Sequence, residues 1–187
     1  MSIDAAFAAA VAALRSGGVI AYPTEAVYGL GCDPLNMTAV TRLFALKQRP
    51  AEQGVLLIAA DFAQVEKYID RARVPPAALQ QALATWPGPH TWVFPRAPST
   101  PAWLVGAHDG IALRVTAHAS AAQLCRAFGD ALVSTSANRH GAPPARSAAE
   151  VRAAFADELG AILEGPTGGL DRPTPIRNAI TGEVLRA

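Results

Sequence analysis

Two cations, Lys47 and Arg49, stand two positions apart in the stretch ALKQRPAEQG (residues 45–54) of a 187-residue chain whose formal net charge is only +1. With 16 basic against 15 acidic residues there is no bulk field to gather anions, so an anion site has to be built from a local cluster. Val40, Leu43 and Phe44 fall at i, i+3 and i+4, and Lys47 is the i+7 member of the same stripe. A charge ending an apolar face has two readings. Either it caps the last helical carbonyls and snorkels to water, or it is a point charge aimed into a site. Lys47 and Lys67 are the only lysines in a chain that otherwise uses arginine, which makes the residue type at 47 a hint of the second reading. Arg49 taken alone is an ordinary surface charge.

Three further stretches carry polar chemistry. PTEAVYGLGCD (23–33) follows a short β-branched run and places Thr24, Tyr28, Gly29 and Gly31 at the carboxyl end of a strand, the edge where open α/β sheets bind ligands. The glycines would let backbone approach a phosphate, but the third glycine of a dinucleotide fingerprint is missing and a proline follows, which argues against a Rossmann site. LVSTSAN (132–138) ends a buried strand in Ser134, Thr135, Ser136 and Asn138, which either cap a turn or form a donor-rich rim for phosphate oxygens. Arg114 sits between Leu113 and Val115, so its face opposes theirs and its fork, suited to a carboxylate, points to water or into a pocket. There is no GxSxG elbow. Cys32 has no base beside it in the sequence and reads as a small packed hydrophobe. The four histidines have no ligand spacing and read as structural or exposed, and the three tryptophans read as core.

The elements that must position these residues follow from periodicity. An Ala-rich helix over 4–15 stops at Gly17-Gly18, VIAYP (19–23) is a strand, and a second helix spans 37–48. VLLIA (55–59) is a strand; Asp61 with Gln64 opens a helix by a capping box, and Pro75-Pro76 opens another toward Trp86. HTWVF (90–94) and IALRV (111–115) are strands, 118–129 is a helix ended by Gly129, and ALVST (131–135) is a strand. Ser147 with Glu150 caps a helix over 148–157, AIL (161–163) is a strand, and IRNAI and EVLRA close the chain as a hairpin. Strand and helix alternate, and the hairpin makes the sheet mixed, so the fold class is α/β with a mixed sheet and flanking helices.

At 187 residues and 51% hydrophobic, one domain spanning 1–187 is expected. The apolar N-terminus lacks a basic lead-in and carries Asp4 and Arg15, which argues for a helix rather than a signal peptide; no stretch is long enough to span a membrane. Cys32 and Cys125 suggest neither a zinc site nor a disulfide framework, and free thiols fit a reducing cytoplasm.

Taken together and in this order, PTEAVYGLGCD, LKQRP, WPGPHTWVFP, ALRV, LVSTSAN and PTPIRNAITGEVLR resemble the YrdC family, from about residue 10 to the C-terminus. The resemblance implies a twisted sheet with an open, positively lined cleft. It also implies a nucleotidyltransferase that makes threonylcarbamoyl-AMP and pyrophosphate from ATP, L-threonine and bicarbonate. That product serves the threonylcarbamoyladenosine modification of tRNA and is handed to a complex containing TsaD. By this similarity Lys47 and Arg49 hold the ATP phosphates together with Mg²⁺, no side chain holding the metal. Ser134, Ser136, Asn138 and Arg186 complete the nucleotide site, and Thr24, Arg114 and Thr174 hold threonine, Arg114 taking its carboxylate.

The chain departs from the family pattern in two places. Arg139-His140 follow Asn138 where leucine and serine are usual, and Thr174 replaces serine; the additional domain of longer homologues is also not expected here. A rival from another class is a ribosome-maturation factor that binds double-stranded RNA or tRNA through the same cations, which should depend on many spread charges and on salt. A second rival keeps the fold and makes a carbamoyl adenylate instead.

Overall fold

A computed structural model describes residues 3–172 and 174–186. The elements run α1 (Ile3–Arg15), β1 (Ile20–Pro23), β2 (Tyr28–Gly31), α2 (Met37–Lys47), β3 (Leu56–Ala59), α3 (Ala63–Glu66), α4 (Pro76–Leu83), β4 (Thr91–Pro95), α5 (Ala102–Val105) and β5 (Gly110–Val115). They continue with α6 (Ala119–Phe128), β6 (Leu132–Ser136), α7 (Ala148–Phe155), β7 (Ala161–Ile162), β8 (Ile176–Asn178) and β9 (Val184–Arg186). Helix ends follow local chemistry. The Asn36 side chain accepts from the Ala39 N–H at 3.1 Å to start α2, Ser147 accepts from the Glu150 N–H at 3.2 Å to start α7, and Gly129, left-handed at φ 96°, stops α6.

Three segments differ from expectation. YGLG is strand β2, paired antiparallel to β1, so Gly29 and Gly31 lie within the sheet and not in a phosphate loop. Strand pairing decides this: a residue at 31 with a Cβ would put that atom 2.6 Å from the Val133 carbonyl oxygen and 2.7 Å from the Tyr22 ring. DFAQVEKYI forms only one helical turn, α3; Asp61 accepts from the Gln64 N–H at 3.3 Å, but the Gln64 side chain does not return the bond of the capping box. Instead it accepts from the Ala60 N–H at 2.8 Å and donates to the Cys125 carbonyl at 3.2 Å, tying the end of β3 to α6. The single turn α5 after Pro101 has no periodic signal.

The nine strands form one mixed sheet in the order β7-β1-β2-β6-β3-β5-β4-β8-β9, with β7/β1, β3/β5 and β4/β8 parallel and the other neighbours antiparallel. Facing partners share a side of the sheet. On one side Leu30, Cys32, Val133, Leu57, Ile111 and Leu113 pack with α2, α4 and α7 into the larger core. On the other, Ile20, Tyr22, Ile58 and Leu132 are covered by Leu14 of α1 and by Leu124 and Cys125 of α6. Burying each such side chain contributes roughly 1.5–3 kcal/mol.

That second face is only half covered. Beyond Ile58 and Leu132 the registers place Ala112, Ser134, Ser136 and Gly29 on it, with Arg114 opposite Ile58. Small and polar residues there offer a helix little apolar area to bury, so the face stays open and concave. Both thiols are packed away, Cys32 and Cys125 being fully buried, and burial pushes the Cys125 thiol up to about 12 and that of Cys32 in the same direction. Among the described residues no helix is long and apolar enough to cross a membrane.

Candidate active site

The uncovered half-face forms a cavity of about 370 Å³. Seven of the nine residues expected at the site line it: Thr24, Arg49, Arg114, Ser134, Ser136, Thr174 and Arg186. Lys47 and Asn138 do not. The cavity runs along the face of β2, β6, β3, β5, β8 and β9 rather than beyond strand ends, because a sheet in which β6 runs antiparallel to both of its neighbours, β2 and β3, has no common carboxyl edge. A neighbouring hollow of about 510 Å³ shares the wall of Gln53, Gly54, Val55, Ala112 and Ile176, so the two make one trough.

The end of α2 explains the spacing of Lys47 and Arg49. Gln48 is left-handed at φ 53°, unusual for a residue with a Cβ and costing roughly 1–2 kcal/mol. This bend sends the two cations opposite ways. The Arg49 guanidinium turns into the cavity, donating from Nη1 to Thr135 Oγ1 at 3.2 Å and from Nη2 to the carbonyls of Gly54 at 2.9 Å and Gln53 at 3.3 Å. Its Nε is buried with no hydrogen-bond partner among the described residues.

Lys47 turns behind the cavity. It neither snorkels, being 4% exposed, nor caps its own helix. Its ammonium donates to the carbonyls of Ser136 at 2.5 Å and Asn138 at 2.8 Å and to Asn138 Oδ1 at 3.3 Å. The His140 N–H returns a bond to the Lys47 carbonyl at 2.7 Å, and Ser136 Oγ donates to Asn138 Oδ1 at 2.6 Å. The turn after β6 and the end of α2 are thus clasped together. Arg139 belongs to the clasp: Nη1 caps the Leu46 carbonyl at 2.9 Å, Nη2 pairs with Glu158, and the guanidinium lies 5.3 Å from the Phe155 ring centroid. The unusual Arg139 thus serves α2 and does not line the cavity.

On the opposite wall Arg114, 6% exposed, pairs through Nη1 with Glu25 Oε2 at 3.2 Å, and its Nε is again buried without a partner among the described residues. Arg186 reaches back from β9 to the Thr174 carbonyl at 3.2 Å. Thr24 Oγ1 donates to the Val27 carbonyl at 2.7 Å, closing the tight link between β1 and β2. A position for a side chain at Gly29 would lie 3.3 Å from both Ser134 Oγ and the Thr24 methyl, so the missing Cβ keeps the floor open between Ser134 and Thr24.

The cations feel one another. Burial, then Arg49's charge, pushes the Lys47 ammonium down to about 8; burial, then Arg186, lowers Arg49; burial, then Arg114, lowers Arg186. Positive charge therefore runs unbroken from Lys47 to Arg114, and no carboxylate is among the lining residues. Such a wall accepts anions, and each of the two guanidinium groups keeps an Nε that is enclosed and unpartnered among the described residues. Among the described residues no group of three or more His, Cys, Asp or Glu side chains could hold a metal ion.

Glu25 and Thr116 were passed over in the sequence. The one available signal was an acid directly after Thr24, between a strand end and a run of apolar residues. Its partner Arg114 lies 89 positions away, and sequence spacing could not reveal the pairing.

The Sua5/YciO/YrdC family model, described as Telomere recombination, matches residues 12–187. The chain is 53% identical over 178 residues to a protein of Stenotrophomonas maltophilia named Threonylcarbamoyl-AMP synthase, covering 95% of this chain and 96% of that one. It is 55% identical to a protein of Halorhodospira halophila with the same name, covering 95% and 92%. Among solved structures it is similar to P. abyssi Sua5 complexed with L-threonine, at 31% identity and a TM-score of 0.87 over 95% of this chain. It covers 52% of that protein, about half its length.

Proposed function

The chain belongs to the Sua5/YciO/YrdC family, and from that premise and the cavity's chemistry we propose that it is a threonylcarbamoyl-AMP synthase, a nucleotidyltransferase. Its substrates are ATP, L-threonine and bicarbonate, and its products the mixed anhydride and pyrophosphate. The observation that carries this reading is that Arg49, Arg114 and Arg186, from three distant segments, meet in one cavity whose floor is hydroxyl and glycine.

Threonine's neutral amine takes up carbon dioxide from bicarbonate to form an N-carboxylate, and the amine proton leaves with the hydroxide of bicarbonate as water. An oxygen of that carboxylate attacks the α-phosphorus of ATP, and the bond to the bridging oxygen of the β-phosphate breaks to release pyrophosphate. No covalent enzyme intermediate is needed. Two anionic reactants must be held in line and the charge building on phosphate must be stabilised, which fixed cations do without reorganising.

In this proposal Arg49 and Arg186, with the hydroxyls of Ser134 and Ser136, bind the triphosphate. Lys47 acts from behind the same wall, holding Ser136 and Asn138 in place and adding its charge to Arg49's. Arg114 takes threonine's carboxylate, with Thr24 and Thr174 near the amino acid. The lining groups, guanidinium and hydroxyl without a carboxylate, do not fit a protein-held divalent cation, so Mg²⁺ enters only as the ion that ATP carries. Hand-off of the labile product to a TsaD-containing tRNA-modifying complex in the cytoplasm is part of the same proposal. An RNA-binding role has less support, because the cations converge inside a cavity instead of spreading along a surface.

The test is mass detection of threonylcarbamoyl-AMP from purified protein with ATP, L-threonine, bicarbonate and Mg²⁺, and with each organic substrate and bicarbonate omitted in turn. Product only in the complete mixture is expected. No adenylate in the complete mixture overturns the proposal.

A further inference from the structure

We infer that Glu25 is a positioning residue that reserves Arg114 for a single carboxylate, and so keeps the polyanionic triphosphate out of the amino-acid end of the cavity. The inference rests on the proposed threonine site.

Glu25 is 6% exposed and does not line the cavity; it stands behind Arg114. Both of its oxygens are engaged. Oε2 accepts from Arg114 Nη1 at 3.2 Å, and Oε1 accepts from Thr116 Oγ1 at 2.5 Å, Thr116 being 1% exposed. The Thr116 hydroxyl is oriented in turn, accepting from the His118 N–H at 3.1 Å. The backbone is fixed as well. The Thr24 and Glu25 carbonyls accept from the N–H groups of Gly168 at 3.0 Å and Leu170 at 3.1 Å, and a Cβ on Gly168 would stand only 3.0 Å from the Glu25 Cα. The carboxylate therefore cannot drift from the guanidinium.

A guanidinium offers a carboxylate two bidentate edges, one ending in Nη1 and Nη2 and one in Nε and Nη2. Glu25 takes Nη1, which closes the first edge to a substrate. Nε remains buried and without a partner among the described residues. With Nη1 taken by Glu25 and Nε enclosed, a substrate carboxylate meets the guanidinium at Nη2, and this limits where its α-carbon and amine project. The same arrangement divides the cavity's charge. Among the described residues Arg114 has a neighbouring carboxylate, whereas Arg49 and Arg186 donate to hydroxyl and carbonyl oxygens alone. A monoanion suits the compensated end and a polyanion the uncompensated one.

The test compares wild type, Glu25→Gln, Thr116→Val, Thr116→Ser and Arg114→Lys as full-length proteins, measuring KM for threonine and for ATP and the mode of inhibition by inorganic tripolyphosphate. Wild type is expected to show tripolyphosphate competing with ATP and not with threonine. Glu25→Gln is expected to raise KM for threonine at least tenfold, to change KM for ATP less than twofold, and to make tripolyphosphate competitive with threonine. Glu25→Gln with an unchanged KM for threonine, with both KM values raised together, or without the new competition overturns the inference. Where Glu25→Gln does not fold, Thr116→Val decides: a threefold or larger rise in KM for threonine alone, restored by Thr116→Ser, supports the inference, and no rise overturns it. Arg114→Lys separates the two readings, because an unchanged KM for threonine in that variant removes the threonine site itself, whatever Glu25 does.

Discussion

Removing the Arg49 guanidinium tests whether the cavity binds triphosphate through directed donors. The side chain's Nη groups are spent on Thr135 Oγ1 at 3.2 Å and on the carbonyls of Gly54 at 2.9 Å and Gln53 at 3.3 Å, which hold the fork still, while Nε is buried and unpartnered among the described residues. A hydrogen bond from a charged donor contributes about 1.5–3 kcal/mol net. At about 1.4 kcal/mol per decade, one such bond to phosphate corresponds to roughly 10- to 150-fold in Kd. Arg49→Ala is therefore expected to weaken ATP binding within that range. Arg49→Lys, which keeps the charge and loses the fork, should sit near the weak end of the loss. Stability should fall by only about 1 kcal/mol or less, because the freed carbonyls of Gln53 and Gly54 lie where water can reach them. Calorimetric titration with ATP in the absence of threonine reads the effect, and titration with threonine alone, expected to be unchanged, controls for collapse of the cavity. An Arg49→Ala protein that binds ATP within twofold of wild type refutes the assignment of phosphate to this wall.

Two other outcomes follow from the geometry. Lys47 is lowered to about 8 from an ordinary value near 10.5, so between those pH values the unfolded chain holds a proton that the folded chain has lost; this group makes stability rise with pH across the window, while ATP affinity falls as the charge behind Arg49 disappears. Lys47→Met should flatten both the thermal-melt slope and the affinity slope between pH 7.5 and 10 on the order of the whole effect, and a wild-type affinity that stays level across that range contradicts the mechanism. Gly31→Ala, which in an ordinary strand would be mildly favourable, is expected to destabilise by about 1–3 kcal/mol, or some 2–12 °C in Tm, since the new methyl meets the Val133 carbonyl at 2.6 Å and the buried Tyr22 ring at 2.7 Å. A melting temperature equal to wild type contradicts it.

Periodic segments were legible in the sequence because a single force decides them. The stripe of Val40, Leu43 and Phe44 and the alternation in IALRV are answers to burial, and the structure has α2 and β5 at those places within a residue or so. YGLG was harder. Its glycines say loop by propensity, and only the crowding of Gly31 against β6 and Tyr22 says strand, which is a fact about neighbours distant in sequence. DFAQVEKYI failed for a similar reason, the Gln64 side chain finding a better partner in α6 than in its own capping box. At the site, residue types were legible and their directions were not. Lys47 and Arg49 were paired by spacing, but one left-handed residue between them points them to opposite sides of the wall. Glu25, which gives Arg114 its orientation, offered only its place after Thr24, and nothing local tied it to a partner 89 positions away.

The disposition of these cations also says where binding energy originates. An arginine does not lose its proton in a protein, so the burial and mutual repulsion that lower Arg49 and Arg186 cannot be relieved by neutralisation. Lys47 can be relieved that way, yet three oxygens of the turn after β6 hold it as an ammonium below its lowered value. The sheet's cores and the clasp between α2 and that turn supply the stability that keeps like charges in one cavity. In the proposed reaction an incoming polyanion would release the stored repulsion, most of all where negative charge is greatest at the phosphate being attacked. Because the donors are already fixed by carbonyls and hydroxyls, little of that release is spent on ordering side chains, and it is available where charge builds during attack on the α-phosphorus.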